Sequence, residues 1–183
     1  MTDVIFRDFL QTQLEEGLAL AAASDLVEIV PTGGAGGGMP PQRYRVRFRC
    51  TGLVQTEGGA IVEADDFATG IWFRDDHLRA VDPRYLVTWL APRGIYHPNV
   101  LAPWVCLGRT GVGISLASII FQLHAIVTYT KATLDDALNG AAAAWARDHL
   151  HLFPVDRRPL KRRVDVAPAA TANDHDFTIE VLS

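Results

Sequence analysis

Tyr44-Arg45-Val46-Arg47-Phe48-Arg49-Cys50 alternates apolar and basic side chains with a period of two. Successive side chains of a strand point to opposite faces, so this spacing predicts a β-strand with one face buried and one in water. The facing of Cys50 at its end stays open. Upstream, Leu26-Val27-Glu28-Ile29-Val30 reads as a first strand, and the glycine-rich run from Pro31 to Gly38 as the connection between the two. That run lacks the Gly-Lys-Ser/Thr ending of a phosphate loop and is followed by Pro40-Pro41, which cannot open the helix such a loop requires. Downstream, Leu53-Val54-Gln55, Ile61-Val62-Glu63, Phe67 to Phe73 and Leu86-Val87-Thr88-Trp89-Leu90 supply further strand material.

Helical patterns flank these strands. Across residues 3–23, Phe6, Leu10, Leu14 and Leu18 recur at i, i+4, with Arg7, Asp8, Gln11, Glu15 and Glu16 on other faces and Thr2 or Asp3 as cap. Ser115 is placed to cap a second helix striped by Leu116, Ile119, Ile120, Leu123 and Val127. Asn139 is placed to cap a third, running through His149 with Ala142, Trp145 and His149 on one face, and Pro154 closes it. The order is helix, about four antiparallel strands, an irregular loop, then helices, which is an α+β domain. Residues 156–183 form a C-terminal extension with a basic cluster (Arg157, Arg158, Lys161, Arg162, Arg163) and a strand-like end, Phe177 to Leu182.

Composition narrows the function classes. With 183 residues, 49% apolar and 21% charged, the chain suits one globular domain, 1–155, plus that extension. A net charge of −4 exerts no global pull toward nucleic acid or anionic lipid, so neither is expected as a partner. The basic cluster reads as a solvated segment. The apolar run from Ile114 to Tyr129 falls short of the roughly 20 residues of a membrane span and contains Ser118, Gln122, His124 and Thr128. The first residues carry no basic lead and no long apolar stretch, so the expected compartment is a reducing cytoplasm.

Two cysteines are too few for a disulfide framework or a cysteine-rich zinc site. The six histidines lack metal-ligand spacing, so neither metal nor cofactor is expected. Gly111-Val112-Gly113-Ile114-Ser115 is not a hydrolase elbow, because its serine follows the glycines instead of standing between them.

Cys50 reads as a buried structural cysteine. Cys106 differs. It lies in Tyr96-His97-Pro98-Asn99-Val100-Leu101-Ala102-Pro103-Trp104-Val105-Cys106-Leu107, irregular backbone of the kind that carries reactive groups. His-Pro-Asn, an aliphatic, a short loop and aliphatic-Cys-Leu resemble the active-site segment of ubiquitin-conjugating enzymes. The resemblance extends in element order over roughly residues 3–153, and Asp135, Asp136, Asn139, Ala141, Ala142 and Trp145 echo the family's segment after the central helix.

This resemblance implies a fold with an N-terminal helix, a four-stranded antiparallel meander, the active-site loop and C-terminal helices. It implies that Cys106 accepts a ubiquitin-like protein as a thioester from an activating enzyme and passes it to a target amine. Asn99 would stabilise the oxyanion or the loop, His97 and Pro98 would shape that loop, and Asp135 or Asp136 would orient or deprotonate the attacking lysine. The expected partners are a ubiquitin-like protein, an activating enzyme and a target protein, with the chain a monomer or in complex with that activating enzyme. The chain departs from the family where Pro103 replaces the usual glycine, where Leu107-Gly108 replaces Leu-Asp, and where the Tyr-Pro…Pro-Pro signature shrinks to Asp82-Pro83-Arg84. These departures and the lysine-poor, Ala/Arg/Gly-rich composition suggest a divergent bacterial member, of a kind associated with antiphage defence. The alternative is a non-catalytic module that binds ubiquitin-like proteins, or an adaptor, on the same fold.

Overall fold

A computed structural model describes residues 4–33 and 38–162. The chain opens with helix α1, Val4–Ala22, whose buried side follows Phe6, Leu10, Gln13, Gly17 and Leu20. Of the expected stripe, Leu14 packs against the core, whereas Leu18 turns away from it and is 52% exposed. A strict i, i+4 series advances about 40° per step on a helix of 3.6 residues per turn, whereas alternating steps of three and four keep to one face. Gln13 is buried but satisfied, its Oε1 accepting from the Leu116 amide at 2.7 Å.

The main sheet contains β1 (Val27–Thr32), β2 (Arg43–Phe48), β5 (Phe67–Trp72), β6 (Val87–Ala91), β7 (Val100–Leu101) and β8 (Trp104–Val105). Its order is β1-β2-β5-β6-β8-β7, antiparallel throughout. The α+β class expected from the sequence is therefore observed, with six strands in the sheet where about four were expected. Tyr44, Val46 and Phe48 face the core, and Cys50 continues that even-numbered face, fully buried. The arginines between them point outward: Arg47 makes two 2.6 Å bonds to Asp66, Arg49 pairs with Glu28 at 3.0 Å, and Arg43 lies over the Trp72 ring at 4.4 Å.

Two of the expected strand segments stay out of the main sheet. β3 (Gly52–Gln55) and β4 (Ile61–Ala64) pair with each other as a hairpin inserted between β2 and β5, with one isolated bridge from Val54 to Ile95. This hairpin braces the segment that follows β6, because the Tyr96 amide donates to Leu53 O at 2.9 Å and the Gln55 amide to Gly94 O at 2.7 Å. Gly52 permits the junction: a Cβ there would lie 2.7 Å from the Phe67 ring and 2.9 Å from the Val127 carbonyl oxygen. Gly52→Ala is accordingly expected to destabilise the fold by about 2–3 kcal/mol, since overpacking against backbone cannot relax by a rotamer change. For a chain of this size that lowers the melting temperature by roughly 4–12 °C in thermal denaturation. An unchanged melting temperature would contradict this packing.

A one-turn helix, α2 (Pro83–Leu86), is capped by Asp82, whose side chain accepts from the Arg84 amide. The core then closes with α3, Leu116–Val127, which presents Leu116, Ile119, Ile120, Leu123, Ile126 and Val127 to α1 and the sheet. Ser115 caps it as expected, accepting from the Ser118 amide at 3.2 Å. Asn139 likewise caps α4, Gly140–Asp148, by accepting from the Ala142 amide at 3.1 Å. A 3-10 turn, Leu150–Leu152, follows α4, so the helix ends before Pro154 is reached.

The extension expected from residue 156 begins packed on the domain. Asp156 accepts from the Thr51 amide at 2.9 Å and from Arg158, Leu160 is 3% exposed in the core, and the Arg162 amide donates to Ala23 O at 3.0 Å. The expected cap at Thr2 or Asp3, Arg163 and the strand at 177–182 lie outside the described residues. Among the described residues, no helix is long and apolar enough to cross a membrane.

Candidate active site

After β6 the chain turns inward and buries Ile95, Tyr96 and His97 before returning through the β7–β8 hairpin to Cys106. The hairpin is stitched to the sheet by Thr88 pairing with Trp104 and by the Trp89 amide donating to Pro103 O at 2.8 Å. Cys106 thus sits at the end of a short strand, on a backbone fixed by hydrogen bonds on both sides.

His97 is fully buried, with its ring edge against Tyr129 at 4.3 Å. Tyr129 itself stacks on Phe153 at 4.3 Å and donates its hydroxyl to the Tyr96 carbonyl. Burial drives the imidazole's pKa down to about 3, an effect that a neighbouring Lys131 backbone group offsets only in part. The ring is therefore neutral at physiological pH. Its Nδ1 accepts from the Asn99 amide at 3.0 Å, leaving it committed to holding the turn. Pro98 contributes its carbonyl, which accepts from the Asn139 amide at 3.0 Å.

Asn99 is the hub. It is 1% exposed, and its Nδ2 donates to Cys106 O and to Thr133 Oγ1, each at 3.0 Å. Its Oδ1 accepts from the Thr133 amide at 2.7 Å, and its own carbonyl accepts from the Cys106 amide at 2.8 Å. One side chain thereby clamps the Cys106 strand to the 133–139 loop, whose far end is tied to Pro98 through Asn139. Asp135 and Asp136 lie on this pinned loop with exposed side chains, and Asp135 approaches Arg147 at 3.7 Å.

Val105 and Leu107 are buried on either side of Cys106, which is itself half-exposed. The cysteine is thus the side chain of this trio that reaches solvent. Behind it, Lys131 Nζ donates to Leu107 O at 2.5 Å and to Gln122 Oε1 at 3.2 Å, anchoring the turn at Gly108, where φ is +81°. Cys50 is the opposite case: burial, with a secondary contribution from Asp156, pushes its thiol up to about 12. Among the described residues, no group of three or more histidine, cysteine or acidic side chains is gathered to hold a metal ion.

Thr133 and Lys131 are site residues that carry no signal in the sequence. Each acts across the fold on a loop distant in sequence, and no local pattern around residues 130–134 signals that partner.

Fold and site together define an α+β domain that displays one half-exposed cysteine on a hydrogen-bonded hairpin at the edge of its sheet. In comparisons with known proteins, no family model matches this chain and no curated protein does.

Proposed function

We propose that this protein is a ubiquitin-like-protein-conjugating enzyme that carries its cargo as a thioester on Cys106. The observation that carries the reading is the clamp at Asn99. It couples a solvent-reaching cysteine, the His-Pro-Asn turn and an acidic loop into one unit, and these are the parts the sequence resemblance assigns to the reaction. Further support comes from element order: helix α1, the meander β1-β2-β5-β6, the cysteine loop, then α3 and α4.

In the first step the Cys106 thiolate attacks the thioester carbonyl presented by an activating enzyme. A new sulfur–carbon bond forms as the activating enzyme's thiolate departs. In the second, a target amine attacks that carbonyl, an amide forms, Cys106 leaves as a thiolate, and the amine's proton passes to water. The acyl group arrives activated, so no strong base beside the thiol is needed, in keeping with an uncharged, inward-facing His97. Both Nδ2 hydrogens of Asn99 are engaged, so its resting role is to organise the loop; donation to an oxyanion would require releasing one of them. In this reading the exposed carboxylates of Asp135 and Asp136 would attract and orient the incoming lysine. The expected partners are a ubiquitin-like protein, its activating enzyme and a target, and bacterial antiphage defence is the setting this reading suggests.

The test is a charging assay with a ubiquitin-like protein, its activating enzyme and ATP. An adduct of one carrier mass that disappears with reductant is expected. A carrier that binds without any adduct would point instead to the non-catalytic module.

A further inference from the structure

β1 is the edge of the main sheet, paired with β2 on one side and, among the described residues, with no strand on the other. The Arg49 amide donates to Leu26 O at 2.7 Å, which fixes the phase of that pairing. In an antiparallel ladder alternate residues bond to the partner, so the even-numbered residues of β1 are the ones committed to β2. The amide and carbonyl of Val27 and of Ile29 therefore face outward, followed by the Pro31 carbonyl alone, since proline has no N–H. Beside this edge, α1 and β1 border an open groove of about 520 Å³, with Ala21, Ser24 and Asp25 opposite Val27 and Ile29. Leu18 precedes Ala21 by three residues, so it lies on the same flank of α1, and its apolar side chain is exposed. The described chain also ends here. Arg162 donates its amide to Ala23 O and its guanidinium to Ala22 O, each at 3.0 Å, and pairs with Asp25 at 3.3 Å.

We infer that this edge and groove seat the chain's own C-terminal segment, Phe177-Thr178-Ile179-Glu180-Val181-Leu182, as a further strand beside β1. With a period of two, Phe177, Ile179 and Val181 fall on one face. That face lies beside the buried side chains of Val27 and Ile29, where it covers Leu18 and fills the groove. Thr178 and Glu180 fall on the outer face. There Arg47 and Arg49 are taken by Asp66 and Glu28, while Arg43 and Arg45 make no ion pair among the described residues, which leaves that face complementary to a carboxylate. The chain from Arg162 to Phe177 spans up to about 50 Å when extended, against about 20 Å for β1, so either strand direction is within reach. The tether is also what favours this occupant over a separate partner, because it holds the segment at high effective concentration beside the edge. The seat is independent of the chemistry assigned to Cys106.

Amide hydrogen exchange in the full chain, resolved residue by residue by NMR, tests this. The Val27 and Ile29 amides should exchange at least about tenfold more slowly in the wild-type chain than in Ile179→Asp, which puts a charge on the apolar face of the segment. Leu18→Asn should remove part of that protection from the opposite wall of the groove. Val62→Asn, at an exposed apolar position on β4, should keep it whole. The protection should also persist on dilution, with a monomer mass in solution. Equal exchange at Val27 and Ile29 in the wild-type chain and in Ile179→Asp would overturn the inference. Protection that is lost on dilution, alongside a dimer mass, would overturn it as well and assign the edge to a second copy of the chain.

Discussion

Cys106→Ala is expected to abolish the reductant-sensitive adduct outright, and Cys50→Ala to leave it intact. The two thiols have opposite surroundings. Cys106 reaches solvent between buried neighbours, whereas Cys50 is fully buried and its thiol is pushed up to about 12. A thiol pushed up to about 12 stays almost wholly protonated at pH 8, so Cys50 offers negligible thiolate even before access is considered. Iodoacetamide should accordingly modify one cysteine in the native protein and both in denaturant. Cys50→Ala should cost about 1 kcal/mol of stability, as for loss of a methyl-sized group from a core, without touching the chemistry. An adduct that survives in Cys106→Ala would end the proposed function.

The second large effect is expected at Asn99. Asn99→Ala removes the donors to Cys106 O and Thr133 Oγ1 and the acceptor of the Thr133 amide, all at 3.0 Å or less. Groups left without partners in a largely buried site cost about 1–3 kcal/mol each, partly relieved by water. The net loss should be roughly 2–4 kcal/mol, which lowers the melting temperature by about 4–16 °C. Charging should fall as well, because the Cys106 strand and the 133–139 loop are no longer held together. Asn99→Asp keeps an acceptor for the Thr133 amide but turns a carboxylate oxygen toward Cys106 O, so it should be no better than alanine in either measurement. Thermal denaturation alongside the charging assay separates the two consequences. A melting temperature unchanged in Asn99→Ala would dissolve the clamp.

Much of this architecture was legible locally. Tyr44 to Cys50 announced a strand because side-chain direction has a period of two whatever lies beyond the sheet, and Ser115 and Asn139 announced helix starts because a cap acts within three residues. Cys50 and Cys106 were separable by their immediate neighbours alone. Other features were not local. Leu18 looked like core by spacing and is exposed, since only the position of α3 decides which edge of an apolar face is covered. The 53–55 and 61–63 segments read as strands but carried no statement of partner, and they pair with each other apart from the main sheet.

For the candidate site, the order of residues by itself determined which side chains are present: a cysteine after a His-Pro-Asn turn, an exposed-type loop, and acids and an asparagine before the last helix. Tertiary structure alone decided what each one faces. It buried His97 against Tyr129 and made it uncharged, linked Asn99 to Thr133 34 residues away, and set Trp104 beside Leu101 on the open face next to Cys106. The physical reason is that periodicity and capping are fixed by bonds within a few residues. Burial, charge state and hydrogen-bond partnership are set by whatever the rest of the chain brings within a few ångströms.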